Sequence, residues 1–552
     1  MMNFLELETV SLLVTVVTSV LSVLLLIAVS RQLWTLRWTI TRDRESNLPL
    51  PKGSMGWPLV GETFHWLFQG PNFHVSRREK YGNVFKTHLL GKPVIRVTGA
   101  ENVRKILLGE HHLVCTQWPQ STRIILGPNT LANSIGDVHK KKRKILAKAF
   151  SRQALETYVP RLQDVVKREV GQWCSESGPT NVYAATKVLT FRIAVQVLLG
   201  LNIEETQINY LASIFEQLMN NLFSLPIDVS FSGLRKGIKA REILHSFMEK
   251  MIEEKLQRPS EGFNDAFDYI LSSAKENNHD LTVQELKETA VELIFAAHST
   301  TASASTSLIL LLLLHPSVAQ RARVEIKDLE LSGTRCDQLY NAGTRRNSVN
   351  QCDLRENTGG ERITESTTLT HETRNSKNVT EEESKYHLPH LTLERLSAMR
   401  YLDCVVKEVL RYFPPVSGGY RTVLKTFELD GCQIPKGWSV LYSIRDTHET
   451  APVYQCPGTF DPDRFAAKRD ESKTGRFNYI PFGGGIRNCI GKELAKIIIK
   501  TLAVELLATT EWRIATQTIP KMQTVPVVHP ASGLYVNFNY TDSWGKEHCV
   551  HT

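Results

Sequence analysis

The strongest constraint on the fold is one long apolar helical pattern, which begins at Thr282 and ends at Pro316. Thr282 and Glu285 have the spacing of a capping box, in which two side chains satisfy the first free N–H groups of a helix. A helix of this length that is apolar on most faces must be buried in the centre of a large domain. Residues 298–305, HSTTASAS, are small and mostly hydroxylated. They fit either close helix packing or a groove that faces a ligand.

The N-terminal region contains a second apolar segment, 10–29, which has no charged residue. A helix of that length spans the ~30 Å hydrocarbon core of a bilayer. A cleaved signal peptide is the alternative, but it needs a basic start and a shorter apolar run. The segment instead follows acidic residues, and basic and aromatic residues follow it, which predicts a retained anchor with the body on the cytoplasmic side. The residues after the segment are Arg31, Trp34, Arg37, Trp38, Arg42 and Arg44.

Composition divides the chain into unequal parts. Residues 1–47 are the predicted anchor and its flank, and 48–61, which are rich in proline and glycine, are a predicted stiff hinge. Residues 62–540 are predicted to form one large domain, followed by a tail, 541–552. Within the domain, 332–388 are polar and lack apolar periodicity, which predicts a disordered surface insertion.

Overall composition excludes several classes of protein. Hydrophobic residues are 42% and charged residues 22%, as in globular proteins rather than polytopic membrane or disordered ones. Lys and Arg exceed Asp and Glu by 66 − 57 = +9, a modest excess that suits membranes or acidic proteins and argues little for nucleic acid. The nine cysteines contain no C-x-x-C pair, so we expect a reducing compartment and no structural zinc site.

A glycine-rich loop near the C-terminus carries the most specific motif, F-x-x-G-x-R-x-C-x-G. Its fixed positions are Phe482, Gly485, Arg487, Cys489 and Gly491. Glycines let the backbone approach a cofactor closely. A cysteine just before a helix N-terminus has its thiol pKa lowered by the helix dipole, and a thiolate is one of the proximal ligands of haem iron. The alternative is an inert core cysteine.

This loop resembles the haem-binding signature of the cytochrome P450 superfamily. The resemblance implies the P450 fold, mainly α with small β-sheets (α+β), behind a single-pass membrane anchor. It implies that haem b is bound through the thiolate of Cys489, that Arg487 meets a haem propionate, and that O2 is a substrate of the reaction.

Three further motifs occur in the order that this family requires. Glu408 and Arg411 form E-x-x-R, and Arg464 in FDPDRF matches the third member of a Glu-Arg-Arg network behind the haem. His139 and Arg143 match a W/H-x-x-x-R pair, which implies contacts with the haem propionates.

The family also has an A-G-x-[DE]-T segment over the iron, and residues 296–300 match it as AAHST. Thr300 keeps the hydroxyl, but Ser299 stands where the family has an acid. This departure puts a relay through a carboxylate in doubt, and waters ordered by Ser299 and Thr300 are the expected proton route. We expect His298 to be a packed residue that faces away from the iron.

The electron supply must lie outside the chain. The sequence contains no P-loop and no G-x-G-x-x-G fingerprint. The resemblance therefore implies a separate NADPH–cytochrome P450 reductase, and the basic run HKKKRK, 139–144, suits its acidic surface. It also implies the endoplasmic reticulum membrane as the location.

Several longer stretches resemble the retinoic acid hydroxylases, family 26 of the cytochromes P450. The C-type members are the most similar, and the B-type members are a near rival. These stretches are 76–107, 118–130, 223–233, 292–308 and 418–452. The resemblance implies that all-trans-retinoic acid is hydroxylated, chiefly on its ring, as a clearance step.

Residues of matching chemistry are available for such a ligand, which has an apolar polyene and one carboxylate. The candidate apolar walls are Trp118, Phe223 and Phe295. Arginine presents a fork that matches a carboxylate, and the candidates are Arg96, Arg123 and Arg421, of which we expect one or two to bind it.

Three alternatives remain open at this stage. The first is a hydroxylase of another lipid, such as a sterol or fatty acid, and the second is a haem-thiolate isomerase. The third is a membrane-bound retinoid-binding haem protein with weak activity, which the missing acid at Ser299 suggests. Thr300 and the basic run favour oxygen activation over isomerisation.

Overall fold

The computed structural model describes residues 2–257, 262–329 and 390–541. Most of them are helical. The helices are α1 (Met2–Ile40), α2 (Thr63–Gln69), α3 (Pro71–Tyr81), α4 (Ala100–Leu108), α5 (Gln120–Leu126), α6 (Gly136–Ala147), α7 (Arg152–Ser175), α8 (Val182–Ile193), α9 (Glu205–Asn221), α10 (Gly233–Gln257), α11 (Ala266–Glu276), α12 (Val283–Leu314), α13 (316–329), α14 (Leu393–Ala398), α15 (Arg400–Tyr412), α16 (Ile444–Thr450) and α17 (Lys492–Thr509). The predicted insertion, 332–388, lies outside the described residues, as does most of the predicted tail.

Small sheets lie beside the helices. The strands are β1 (Val84–Leu89), β2 (Lys92–Val97), β3 (Val114–Thr116), β4 (Thr180–Asn181), β5 (Gly418–Val423), β6 (Phe427–Leu429), β7 (Cys432–Ile434), β8 (Ser439–Ser443), β9 (Thr510–Ile514), β10 (Met522–Gln523), β11 (His529–Pro530) and β12 (Tyr535–Tyr540). The largest sheet described has the order β1-β2-β8-β5-β3, in which only β2 and β8 are parallel.

Helix α12 is the central element that its sequence predicts. Its capping box is confirmed, because Thr282 Oγ1 accepts from Glu285 N and Glu285 Oε2 accepts from Thr282 N, both at 3.2 Å. It packs against α8, α10, α15 and α17. Most of its small side chains from 301 to 307 are buried, and Thr306 Oγ1 lies 2.9 Å from Thr186 Oγ1 on α8. Close packing therefore explains this part of the hydroxylated run.

The paired strands predicted within 83–99 are confirmed as β1 and β2, which are antiparallel with Val84 opposite Val97. Their turn, Leu90–Gly91, has positive φ at both residues. The helices enclose one large apolar core, and a second apolar core lies against the five-stranded sheet. The cysteine loop runs between these two cores, so that helices and sheet both contribute to its surroundings.

Helix α1 enters the body at its C-terminal end. Its segment Ser11–Ile40 is long and apolar enough to cross a membrane and is exposed over its apolar window, whereas α12, which passes the same test, is mostly buried. Trp34 is buried, and its Nε1 donates to Met55 O at 3.1 Å. Within the predicted hinge, Pro49 O accepts from Gln433 N at 2.9 Å. The chain is therefore bound to the second core on both sides of the junction.

Candidate functional site

The cysteine loop has a shape that requires its glycines. Gly485 has φ +66°, and a Cβ there would lie 2.1 Å from Leu107 O at the end of α4. Cys489 N donates to Phe482 O at 2.9 Å, which closes the loop just before Gly491 begins α17. The loop is thus pressed against α4 on one side and leads directly into a core helix on the other.

The thiol of Cys489 opens onto space inside the fold, because its side chain is exposed although protein atoms surround it closely. Burial raises the pKa of this thiol, while the N–H of Gly491 and the cations Arg143 and Lys492 act in the opposite direction. The sequence predicts a lowered pKa from the helix dipole; desolvation outweighs it here. Arg143 Nη2 donates to Asn488 O and Oδ1 at 2.7 and 2.6 Å, which holds this cation beside the loop.

A cluster of charged residues adjoins the loop, and we call it the open cluster: Glu110, His111, His139, Arg421 and Arg487. Arg487 Nε lies 2.6 Å from Glu110 Oε1, and Arg421 Nε lies 2.7 Å from Glu110 Oε2. Arg487 Nη2 also donates to Ser134 O at 2.5 Å. Two cations from distant parts of the chain thus share one buried carboxylate.

The histidines of the open cluster have unused polar atoms. The rings of His111 and His139 are 5.6 Å apart at their centroids. Within the described part of the chain, no hydrogen-bond partner is found for Nδ1 of His139 or for either ring nitrogen of His111, although these atoms are buried. Burial, followed by the charge of Arg487, lowers the pKa of His139 to about 4. The cluster therefore carries a net positive charge, from two arginines and one carboxylate, and its histidine rings have nitrogens without a hydrogen bond among the described residues.

A second ion-pair group joins α15 to the turn Pro462–Phe465, and we call it the closed network: Glu408, Arg411 and Arg464. Arg411 Nε and Nη2 lie 2.7 and 2.8 Å from the Glu408 carboxylate, and Arg464 Nε lies 3.4 Å from it. Arg411 and Arg464 also donate to the carbonyls of Thr459 and Cys456. All three side chains of the network are at most 2% exposed.

One face of α12 borders open space. Ala296 is exposed although the helix is otherwise mostly buried, and Thr300, one turn later, donates its hydroxyl to Ala296 O at 2.8 Å. Trp118 and Phe295 meet edge to face with centroids 6.3 Å apart. The structure therefore brings these two predicted wall residues together, whereas Phe223 is 54% exposed at the surface.

Ser299 faces a different direction from Thr300. It is buried, and its hydroxyl lies 3.0 Å from His298 Nδ1. His298 packs against Phe215, and its Nε2 lies 3.7 Å from Glu216 Oε1. Burial lowers the pKa of His298 to about 3. The packed position that the sequence predicts for His298 is confirmed, and Ser299 is engaged with it.

The three candidate arginines have different surroundings. Arg96 is buried and pairs with Asp446 at 2.8 Å, and Arg421 belongs to the open cluster. Arg123, on α5, is exposed, and no ion pair of its guanidinium is found within 2–257, 262–329 and 390–541.

Two acidic residues that shape this region were missed by the sequence analysis. Glu110 has no motif, and only the tertiary fold reveals its partners. Glu292, on α12, accepts from the N–H groups of Leu131 and Ala132 at 2.7 Å, and burial raises its pKa to about 7. Its position one turn before Ala296 was the available signal, since an acid in an apolar helix needs donors.

The basic run on α6 is divided by the structure. Lys140, Lys141 and Lys144 are exposed, whereas Lys142 is half-buried, pairs with Glu285 at 3.3 Å and donates to Asn129 O. The outward face therefore carries three of the four lysines.

Comparisons with known proteins agree with this arrangement. A family model described as Cytochrome P450 matches residues 51–340 and 372–538. The chain is 53% identical to cytochrome P450 26B1 of Xenopus tropicalis over 545 residues, 98% of this chain and 97% of that protein. It is 54% identical to cytochrome P450 26C1 of Homo sapiens over 527 residues, 95% of this chain and 94% of that protein.

A solved structure of the same architecture is also similar. It is the retinoic acid-bound cyanobacterial CYP120A1, with a TM-score of 0.73 and 32% sequence identity, and the match covers 90% of this chain and 100% of that one. The family match spans most of the chain, and the relatives are more than half identical across it. The chain therefore belongs to the cytochrome P450 family of haem-thiolate, oxygen-dependent monooxygenases.

Proposed function

We propose that this protein is a membrane-anchored monooxygenase that hydroxylates all-trans-retinoic acid, chiefly on the ring, with electrons from NADPH delivered by a cytochrome P450 reductase. The observation that carries the proposal is the cationic open cluster beside the inward-facing thiol of Cys489. The similarity to a retinoic acid-bound structure and the family 26 stretches support the substrate.

The residues present fit haem b. Its two propionates need nearby cations and donors; Arg487 is such a cation, and the ring of His111, both of whose nitrogens are unpaired among the described residues, offers one N–H in either tautomer. We assign Cys489 as the iron ligand, and Arg487, His139 and Arg143 as the residues near the propionates. Phe482, Gly485 and Gly491 shape the loop against the macrocycle. When bound, the haem supplies the oxygen-activating chemistry, and the thiolate ligand favours O–O cleavage.

The distal residues have separate roles in the proposal. Thr300, on the open face of α12, donates its hydroxyl proton to Ala296 O, so its oxygen would accept a hydrogen bond from water, and the small side chain of Ala296 leaves room beside it. Ser299 acts indirectly, because its hydroxyl is engaged by His298. Protons then reach the site through water that Thr300 orders, rather than through a carboxylate at 299.

The substrate is held by an apolar wall and one arginine. Trp118 and Phe295 form the wall, and Phe223 belongs to the exposed apolar segment 223–231 through which a lipid-dissolved acid enters. Arg96 and Arg421 already have carboxylate partners, so Arg123 is the candidate whose guanidinium is available to the substrate carboxylate.

Features of the surface support the proposed partner and location. The exposed lysines of α6 suit an acidic reductase that docks transiently, and electrostatic steering favours such encounters. The apolar segment of α1 serves as a single-pass anchor in the endoplasmic reticulum membrane, with the arginines that follow it on the cytoplasmic side.

The experiment is reconstitution of the purified protein with reductase and NADPH in lipid vesicles, offered all-trans-retinoic acid, with products identified by mass spectrometry. We expect a product heavier by one oxygen that disappears without reductase. A haem spectrum that shifts with retinoic acid, but without product, would instead support the retinoid-binding alternative. If neither a product nor a spectral shift is observed, the assignment of retinoic acid as the substrate is contradicted.

The carboxylate assignment has its own test. Arg123→Gln removes one charged hydrogen-bonding partner, which costs roughly 1.5–3 kcal/mol or about ten- to a hundredfold in affinity. Retinoic acid should bind correspondingly more weakly, whereas retinol, which has no carboxylate, should be unaffected. Arg152→Gln, which removes an exposed arginine on α7 that pairs with Glu156, is the matched control. An equal loss for retinol and retinoic acid in Arg123→Gln would contradict the role of Arg123.

A further inference from the structure

Glu110 is a buried acid whose contacts join three separate parts of the fold. It follows α4 by two residues, next to the point where Gly485 of the cysteine loop meets Leu107. Its Oε1 accepts from Thr116 N of β3 at 3.0 Å and from Arg487 Nε, and its Oε2 accepts from Arg421 Nε of β5. Each of its oxygens is therefore committed to an arginine.

The energetic need for this carboxylate follows from the charges around it. Arg487 and Arg421 are both largely buried, and their Nε atoms lie 2.6 and 2.7 Å from the two oxygens of the same carboxylate. A buried cation without a partner is costly, and two like charges facing one space repel each other. Glu110 offsets this repulsion and restricts the rotamers of both side chains.

Both arginines can still interact with an anion in addition to Glu110. The carboxylate neutralises one of two cations, so the pair retains one positive charge, and the guanidinium of Arg143, which is held beside the cysteine loop, is a further cation. An anionic group that enters this space finds preoriented donors. Preorganisation of this type raises affinity, since the donors need not be ordered on binding.

We propose that Glu110 is a positioning residue, which holds Arg487 and Arg421 in the orientation that receives the haem propionates. Its negative charge also lowers the midpoint potential of the haem iron. The proposal rests on the proposed haem site at the open cluster. Sequence motifs assign no role to this position.

The test uses the full-length holoprotein and two substitutions that separate charge from position. Glu110→Gln keeps the side-chain length but removes the charge; Glu110→Asp keeps the charge but withdraws it by one methylene. Haem transfer to excess apomyoglobin measures the dissociation rate, and a spectroelectrochemical titration measures the midpoint potential of the iron. Glu169→Gln, which disrupts a buried ion pair with Arg192 in α7 and α8, is the matched control.

We expect both substitutions at 110 to accelerate haem loss by about tenfold, the equivalent of one charge-assisted hydrogen bond. Only Glu110→Gln should shift the potential to more positive values, because removing a negative charge favours the reduced iron. The Glu169→Gln protein should lose stability without a change in potential. If Glu110→Gln does not accumulate as folded protein, Glu110→Asp still carries the test through its dissociation rate.

Two results would overturn the proposal. Unchanged haem loss in Glu110→Asp would show that the position of the carboxylate is unimportant, and slower loss in Glu110→Gln would show that Glu110 merely competes with the propionates. Both differ from failure of the proposed function itself, in which the wild-type protein would lack the thiolate-type haem spectrum altogether.

Discussion

The two glutamate-centred groups, the closed network and the open cluster, have similar compositions but different partners. In the closed network, Glu408 faces two guanidiniums that also donate to main-chain carbonyls of 456–459. In the open cluster, Glu110 also faces two guanidiniums, but histidine nitrogens beside them find no acceptor among the described residues. Arg464 Nε of the closed network also makes no hydrogen bond among the described residues, but it lies 3.4 Å from the Glu408 carboxylate, whereas no hydrogen bond or ion pair to His139 Nδ1 is found there. A buried polar atom without any partner calls for an explanation such as a bound ligand. We therefore assign a structural role to the closed network and, under the proposed function, a binding role to the open cluster.

The largest expected effect comes from breaking the closed network. Glu408→Ala leaves Arg411 and Arg464 buried without their carboxylate, and removing one partner of a buried ion pair costs about 3–5 kcal/mol. We expect this variant to lose most folded holoprotein, measured by urea unfolding and by haem content per chain. Glu449→Ala removes the half-exposed partner of Arg445 and should change stability by under about 1 kcal/mol. A stable Glu408→Ala protein would contradict the claim that the closed network stabilises the fold.

A smaller and different effect is expected from the open cluster. Arg487→Leu leaves Glu110 paired with Arg421, so the fold should persist, but a propionate loses a charged donor worth about 1.5–3 kcal/mol. Haem should therefore dissociate roughly ten- to a hundredfold faster, while far-ultraviolet circular dichroism stays unchanged. Unfolding as severe as that of Glu408→Ala would mean that the two groups do not differ.

The smallest effect concerns pH. Burial lowers the pKa of His448, which lies against Arg411 of the closed network, to about 3 from 6.5. The unfolded chain therefore binds more protons than the folded one below pH 6.5, so this contribution to the free energy of unfolding is complete above 6.5 and decreases as pH falls. The limiting slope is about 1.4 kcal/mol per pH unit for one proton.

The measurement is urea unfolding of the holoprotein at pH 6.5 and pH 5. His448→Phe should lower stability at both pH values but flatten the dependence. His139→Phe should flatten it less, because haem propionates beside His139 favour its protonated form and raise its pKa from about 4. If both substitutions reduce the pH dependence of the free energy of unfolding equally, no anion lies near His139 in the holoprotein.

Sequence could predict the elements that local rules determine. The capping box at Thr282 and the strand pair about Gly91 depend on residues close in the chain, and both are found. The cysteine loop was identified because its motif is contiguous. Glu110 was not, because its partners Arg421 and Arg487 are 311 and 377 residues away. No pattern within α4 or after it indicates that this acid is buried.

Side-chain direction was a second limit. Ser299 and Thr300 are adjacent in sequence, but one turns to His298 inside the helix packing and the other borders open space. Arg96 and Arg123 were equal candidates in the sequence. In the structure, Arg96 forms an ion pair with Asp446, which is distant in the chain. Both distinctions depend on neighbours that only the tertiary fold supplies.

The most direct test of the account is the absorption spectrum of the reduced carbon monoxide complex in a Cys489→Ala protein, compared with Cys404→Ala. Cys404 is a buried cysteine on α15, beside the closed network rather than the open cluster. The account predicts that Cys489→Ala loses the red-shifted Soret band that a thiolate ligand produces, and that Cys404→Ala retains it. A band that survives in Cys489→Ala would contradict the assignment of the haem to this loop.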